Sequence, residues 1–156
     1  MTRFGHFVFA CGLMAATSAR AAEIHVQVND GGGDPVSDAV VSVMPESAGK
    51  TPARPAETKI IDQKNETFVP YVAALHPGDK VIFRNSDKIM HHVYSFSPIK
   101  SFEFVINSGE SSPEVQIASP GVVTVGCNIH DHMITYLYVS EAPIRCPWLR
   151  STDSKV

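Results

Sequence analysis

The sequence predicts an all-β chain, a β-sandwich with a strand extension on its N-terminal side. Three observations carry that expectation. Short apolar or alternating runs recur through residues 59–142, closed by clusters of Gly, Pro, Asn, Asp and Ser. That is the pattern of many short strands and turns. No stretch of useful length repeats its apolar residues at the helical period. The segment richest in metal-binding side chains, 127–133, lies between two strand runs, where a stiff sandwich would present it from one end.

Size and charge bound the reading. At 156 residues the chain makes one domain with short extensions, and its hydrophobic fraction of 44% is that of an ordinary globular core. The formal net charge of −3 leaves no basic nucleic-acid footprint. Residues 1–21 read as a secretory signal, with Arg3 as the positive start and 7–16 as the apolar run. Ala19-Arg20-Ala21 forms the small-x-small cleavage pattern. Ten apolar residues are too few to span a bilayer, so no stable membrane insertion is expected. Phe9, two residues before Cys11, is bulky where a lipoprotein signal needs a small side chain. Without 1–21 the chain carries 11 basic and 16 acidic side chains, a modestly acidic surface able to steer a basic partner. The expected location is the periplasm, an oxidising compartment.

The elements follow in order. Residues 22–58 read as a strand pair and linker. Residues 23–28 alternate, 29–35 form a Gly-rich turn, and 39–44 make a second strand. Residues 45–58, rich in Pro, Ala, Ser and Thr, read as a long loop. Strands are then expected at 59–63, 68–75, 80–85, 93–96, 102–106, 115–117, 122–125 and 134–139. The turns between them include His76-Pro77-Gly78-Asp79, Asn85-Ser86-Asp87, Asn107-Ser108-Gly109 and Ser119-Pro120-Gly121. Residues 143–156 form a polar, Pro-containing tail with Trp148 as its one large anchor. No internal repeat is visible.

The chemistry concentrates in Cys127-Asn128-Ile129-His130-Asp131-His132-Met133. A thiolate, an imidazole and a thioether within one loop suit a soft, redox-active metal. A Cys with two His and a distant Met describes an electron-transfer copper site. Cys127, His130 and Met133 supply three of those four ligands. The second imidazole must come from elsewhere, and Met90-His91-His92-Val93 offers two candidates. Strand alternation puts His91 and His92 on opposite faces, so one of them faces the metal.

A competing reading exists. Once Cys11 leaves with the signal, Cys127 and Cys146 remain, and two cysteines in an exported chain are most simply a disulfide. The spacing argues otherwise, since a structural cysteine has no need of His130 and Met133 three and six positions on. If Cys127 binds metal, Cys146 is a leftover thiol in the tail. Met133 has an ordinary alternative as a core residue opening its strand. His25 and His76 read as non-ligand side chains. No paired carboxylates, phosphate loop or Ser-His-Asp arrangement is visible, and no enzyme is expected.

Over roughly residues 59–140 the chain resembles the cupredoxins, the small blue copper proteins. The resemblance rests on Cys127-x-x-His130-x-x-Met133, a shortened ligand loop of the amicyanin kind. It rests also on Val81-x-Phe83-x-Asn85 followed by Met90-His91-x-Val93, and on Pro77-Gly78-Asp79 before Val81. More narrowly it is similar to exported plastocyanin-like and methylamine-utilisation cupredoxin-domain proteins, which also carry an N-terminal extension. The resemblance implies a Greek-key β-sandwich holding one copper ion, cycling between Cu(II) and Cu(I). Its ligands would be His91, Cys127, His130 and Met133. It implies a monomer carrying single electrons between periplasmic redox proteins, a dehydrogenase or a cytochrome among the candidates. Alternatives are a carrier or storage protein for copper without a shuttle role, and a non-blue mononuclear site.

The chain departs from the family at two positions. His92 stands where an Asn usually ties the two ligand loops together, and an imidazole cannot donate and accept as an amide does. His132 and Asp131 stand where the family's loop tends to be apolar. His92 and His132 are thus candidate additional or replacement ligands.

Overall fold

The computed structural model describes residues 24–44, 46, 54–142 and the backbone of 144–146. The expected export signal, most of the 45–53 loop and the end of the tail lie outside the described residues. No helix occurs among those described. The strands are β1 (Val41–Val43), β2 (Thr58–Gln63), β3 (Phe68–Val69), β4 (Val72–Leu75), β5 (Lys80–Asn85) and β6 (His91–Ser97). They continue as β7 (Lys100–Ile106), β8 (Val115–Gln116), β9 (Gly121–Cys127), β10 (Ile134–Val139) and β11 (Ile144–Cys146).

Two sheets face each other, one of five strands in the order β4-β10-β9-β6-β7 and one of four in the order β3-β2-β5-β8. β2 with β5 and β4 with β10 are parallel, and the other pairs are antiparallel. The chain passes repeatedly between the sheets, with β2, β3, β5 and β8 in one and β4, β6, β7, β9 and β10 in the other. This is the Greek-key sandwich expected of the sequence.

Alternation along each strand builds the core. In β5, Val81, Phe83 and Asn85 point inward while Arg84 is exposed. In β9, Val123, Val125 and Cys127 point inward while Val122 and Thr124 are exposed. Phe68 meets Phe83 edge-on at 6.3 Å between ring centroids, and Phe102 lies 5.4 Å from Phe83 on the other side. Ile61, Leu75, Val81, Val93, Ile117 and Leu137 fill the space around them, each fully buried.

Three local readings are corrected. The run 68–75 is two strands in different sheets. Pro70 has no N–H for a ladder, and the chain crosses over there, with the carbonyls of Pro70 and Tyr71 accepting from Thr135 Oγ1 at 3.1 and 2.9 Å. Residues 24–28 form no strand. Apart from the single bridge Asn29↔Pro35, the first segment has no ladder, and β1 pairs instead with β11. The tail, where no strand was expected, therefore contributes one through residues 144–146. The loop end at Arg54 is also tied down. Arg54 Nη2 meets Asp79 Oδ2 at 2.5 Å, and the Glu57 N–H donates to Asp79 Oδ1 at 2.9 Å. No described helix is long and apolar enough to cross a membrane.

Candidate metal centre

β9 runs directly into Cys127, and β10 leaves one residue after Met133. The β9–β10 register brings Gly126 opposite Ile134, so the intervening loop is a closed turn at the sandwich end. It is held from within by Met133 N–H to His130 O at 2.9 Å and by Cys127 N–H to Met133 O at 3.3 Å. From the side, Asn128 N–H donates to His92 O at 2.9 Å. β6 lies beside β9 with Val93 opposite Cys127, so His91 starts its strand next to the thiol.

These contacts gather three of the expected ligands. The Cys127 sulfur lies 3.7 Å from His91 Nδ1 and 3.8 Å from His130 Nδ1, and one ligand atom from each residue falls within 4.8 Å of the others. For metal bonds of about 2.0 Å to nitrogen and about 2.3 Å to sulfur, a trigonal sulfur and nitrogen stand about 3.7 Å apart. The spacing is thus that of ligands around a common centre. His91 is fully buried, Cys127 is 3% exposed, and His130 is partly open. Cys127 is a free, buried thiol. Met133 is buried, its backbone bonded to both Cys127 and His130. The donor set of one thiolate and two imidazoles suits copper.

Neither extra histidine places a ring nitrogen in this cluster, although the His132 ring packs edge-on against His130 at 6.0 Å between centroids. His92 points to the opposite face of β6, as alternation requires. Its Nε2 meets Glu103 Oε1 at 2.6 Å, and its Nδ1 lies 3.3 Å from the Asn128 amide nitrogen. An imidazole that donates at Nε2 and accepts at Nδ1 fits both contacts. The tie between the ligand loops is therefore made, with the amide on Asn128 and the imidazole on His92. His132 is exposed and donates from Nε2 to the Glu66 carbonyl at 3.0 Å.

The contacts that support the site were missed from sequence. Asn85, fully buried, donates from its amide to the carbonyls of Ile89 and Ile106 at 2.8 and 2.9 Å, which shapes the loop leading to His91. Asp87 Oδ2 accepts from His91 Nε2 at 2.9 Å. Burial works against the charge on Asp87, but hydrogen bonds from the Glu66 N–H, His91 and the Asn65 N–H outweigh it. Together they hold its carboxyl below the usual carboxylate range. The segment Asn85-Ser86-Asp87 reads as an ordinary turn, and only the four-residue spacing from Asp87 to His91 hints at the contact. A cavity of about 390 Å³ adjoins the site, with Cys127, Met133, Tyr94, Thr124 and Asp131 in its wall.

The two-sheet sandwich thus brings a buried thiol and two imidazoles together at one strand end. Among solved structures, the chain is similar to several amicyanins. A Cu(I) form of a mutant amicyanin is 15% identical, over 61% of this chain and 87% of that one, with a TM-score of 0.48. A reduced amicyanin mutant is 14% identical, over 53% and 82%, with a TM-score of 0.49. An oxidised mutant is 13% identical, over 52% and 80%, with a TM-score of 0.48. No protein-family model and no curated protein matches the chain. The reading of the site rests on this chain's own geometry.

Proposed function

We propose that His91 Nδ1, Cys127 Sγ and His130 Nδ1 would hold one copper ion, with the Met133 thioether as a fourth, weaker donor. The chain's function is to carry single electrons between periplasmic redox proteins. The observation that carries the reading is the placement of two imidazole Nδ1 atoms at 3.7 and 3.8 Å from one buried, unpaired thiol.

Bound copper supplies a one-electron couple between Cu(II) and Cu(I). The chain's own residues do the rest. Cys127 and His91 sit on strand ends that the β6–β9 ladder holds in register, so the donors keep their places when the charge at the centre changes. Small reorganisation is what a one-electron carrier needs. Burial of His91, Cys127 and Met133 keeps water from the thiolate. His130, partly exposed at 18%, is the ligand nearest solvent and the natural port for an electron. In this reading the chain works as an exported monomer, residues 1–21 are its removed signal, and its acidic balance favours basic partners such as a cytochrome.

The test is the visible spectrum after adding Cu(II) to reduced protein. The expected result is an intense thiolate-to-copper band, reversible through many redox cycles. Copper bound without that band supports a carrier or storage role instead. A second reading, a copper site open to a small molecule, draws on the cavity beside Cys127 and Met133. Azide that shifts the copper EPR signal at millimolar concentration favours it, and an unchanged signal favours the shuttle.

A further inference from the structure

Asp87 has more donors on its carboxylate than a turn residue needs. Oδ1 accepts from the Asn65 N–H at 2.5 Å. Oδ2 accepts from the Glu66 N–H at 3.0 Å and from His91 Nε2 at 2.9 Å. Asn65 and Glu66 are successive residues at φ 55° and 53°. Two neighbouring N–H groups in such a turn form a concave nest for an anion. Asn tolerates that backbone, whereas Glu adopts it under strain. The carboxylate of Asp87 is the anion that occupies this nest and offsets the strain. Asp87 is itself pinned, its N–H donating to Asn85 Oδ1 at 2.9 Å and its carbonyl accepting from Ser108 Oγ at 2.6 Å.

This arrangement faces both imidazoles of the metal cluster. Asp87 holds His91 directly. Through the nest it also fixes Glu66, whose carboxylate lies 3.9 Å from His130 Nε2 and whose carbonyl takes the His132 N–H. A buried imidazole bonded to a carboxylate at Nε2 carries its proton there and leaves Nδ1 as the lone-pair donor. The carboxylate also raises the basicity of that donor. A negative charge close to the centre stabilises the more highly charged metal state.

We propose that Asp87 is the positioning residue of this site: its carboxylate fixes His91 as the Nε2–H tautomer with Nδ1 aimed at Cys127, and its charge favours Cu(II) over Cu(I). The proposal deepens the copper reading and rests on it. Asp87→Asn keeps an acceptor beside His91 but removes the charge. Ser108→Ala loosens the same loop with the charge retained.

The first measurement needs no metal. Ring-nitrogen NMR of the wild-type apoprotein is expected to show His91 protonated at Nε2. A proton on Nδ1 overturns the positioning claim whether or not any variant folds. With copper, Asp87→Asn is expected to lose Cu(II) affinity about 10- to 100-fold and Cu(I) affinity much less. The potential then rises by about 59 mV for each tenfold selective loss. Ser108→Ala is expected to lower Tm and leave the potential in place. If Asp87→Asn also lowers only Tm, the residue is a loop anchor and the proposal fails. If wild-type protein shows no thiolate band at all, the copper reading fails, and the charge claim falls with it. The ring NMR still judges the Asp87–His91 bond separately.

Discussion

Two side chains decide most at the level of single residues. Cys127 is the one thiol in the cluster, so Cys127→Ser is expected to abolish any copper–thiolate absorption while Cys146→Ser leaves it intact. Spectra of the two copper-loaded variants check this, and an equal loss of Tm with no colour to lose would argue for the disulfide after all. Asp79 does purely structural work at the far turn. It is 1% exposed and accepts from the His76 and Glu57 N–H groups and from Arg54. Asp79→Ala leaves those donors without their charged acceptor, for an expected loss of about 2–4 kcal/mol. Urea unfolding of the apoprotein measures it, and the copper spectrum should not change.

Among the elements, β6 and β9 matter most, because their ladder sets the distance between His91 and Cys127. Gly126 precedes Cys127 and sits opposite Tyr94 across that ladder. A Cβ at Gly126 would stand 3.1 Å from both Cζ and Oη of Tyr94, closer than ordinary contact. The ring covers the space a side chain would need. Gly126→Ala is therefore expected to tilt Tyr94 outward and cost about 1–3 kcal/mol, the usual range for overpacking. Thermal melting reads the cost. A shift of the thiolate band in the same variant would show that the displaced strand carries Cys127 with it. The β9–β10 loop, closed by its own backbone bonds at His130 and Met133, should keep its shape in that variant.

Across the whole molecule, stability at low pH depends on carboxylates that fold into ion pairs and N–H cages. Asp62 is held below the usual carboxylate range by its hydrogen bond from Arg84, against the opposing effect of burial, with help from Ser86. Asp79 is held down too. Burial pushes it up, but bonds from the His76 and Glu57 N–H groups and from Arg54 outweigh that. A depressed folded-state pKa gives stability that is present above the unfolded value, about 3.9, and lost as pH falls through the folded value. The apoprotein's Tm should thus vary little through these two groups from pH 7 down to about 4.5, and fall below about pH 4. Melts of Asp79→Ala should show a shallower acid decline than wild type. An equally steep decline would remove Asp79 from the account.

Period-two alternation and turn residues are written locally, which is why β2, β5, β7, β9 and β10 could be read from sequence with small errors at their ends. The spacing of Cys127, His130 and Met133 is equally local and marked the site. Alternation even separated His91 from His92. What sequence alone could not decide lies in pairings between distant segments. The 68–75 run divides at Pro70 because its two halves join different sheets, and β1 takes its partner from the tail because pairing depends on where strand edges meet in space. The same holds for the support of the site. Asp87 reads as one more turn residue until the 64–67 loop folds over it and two left-handed residues aim their N–H groups at its carboxylate. The identity of the proposed ligands is carried by residue type and spacing along the chain. The orientation and electronic setting of those ligands come from groups that only the packed sandwich brings within hydrogen-bond reach.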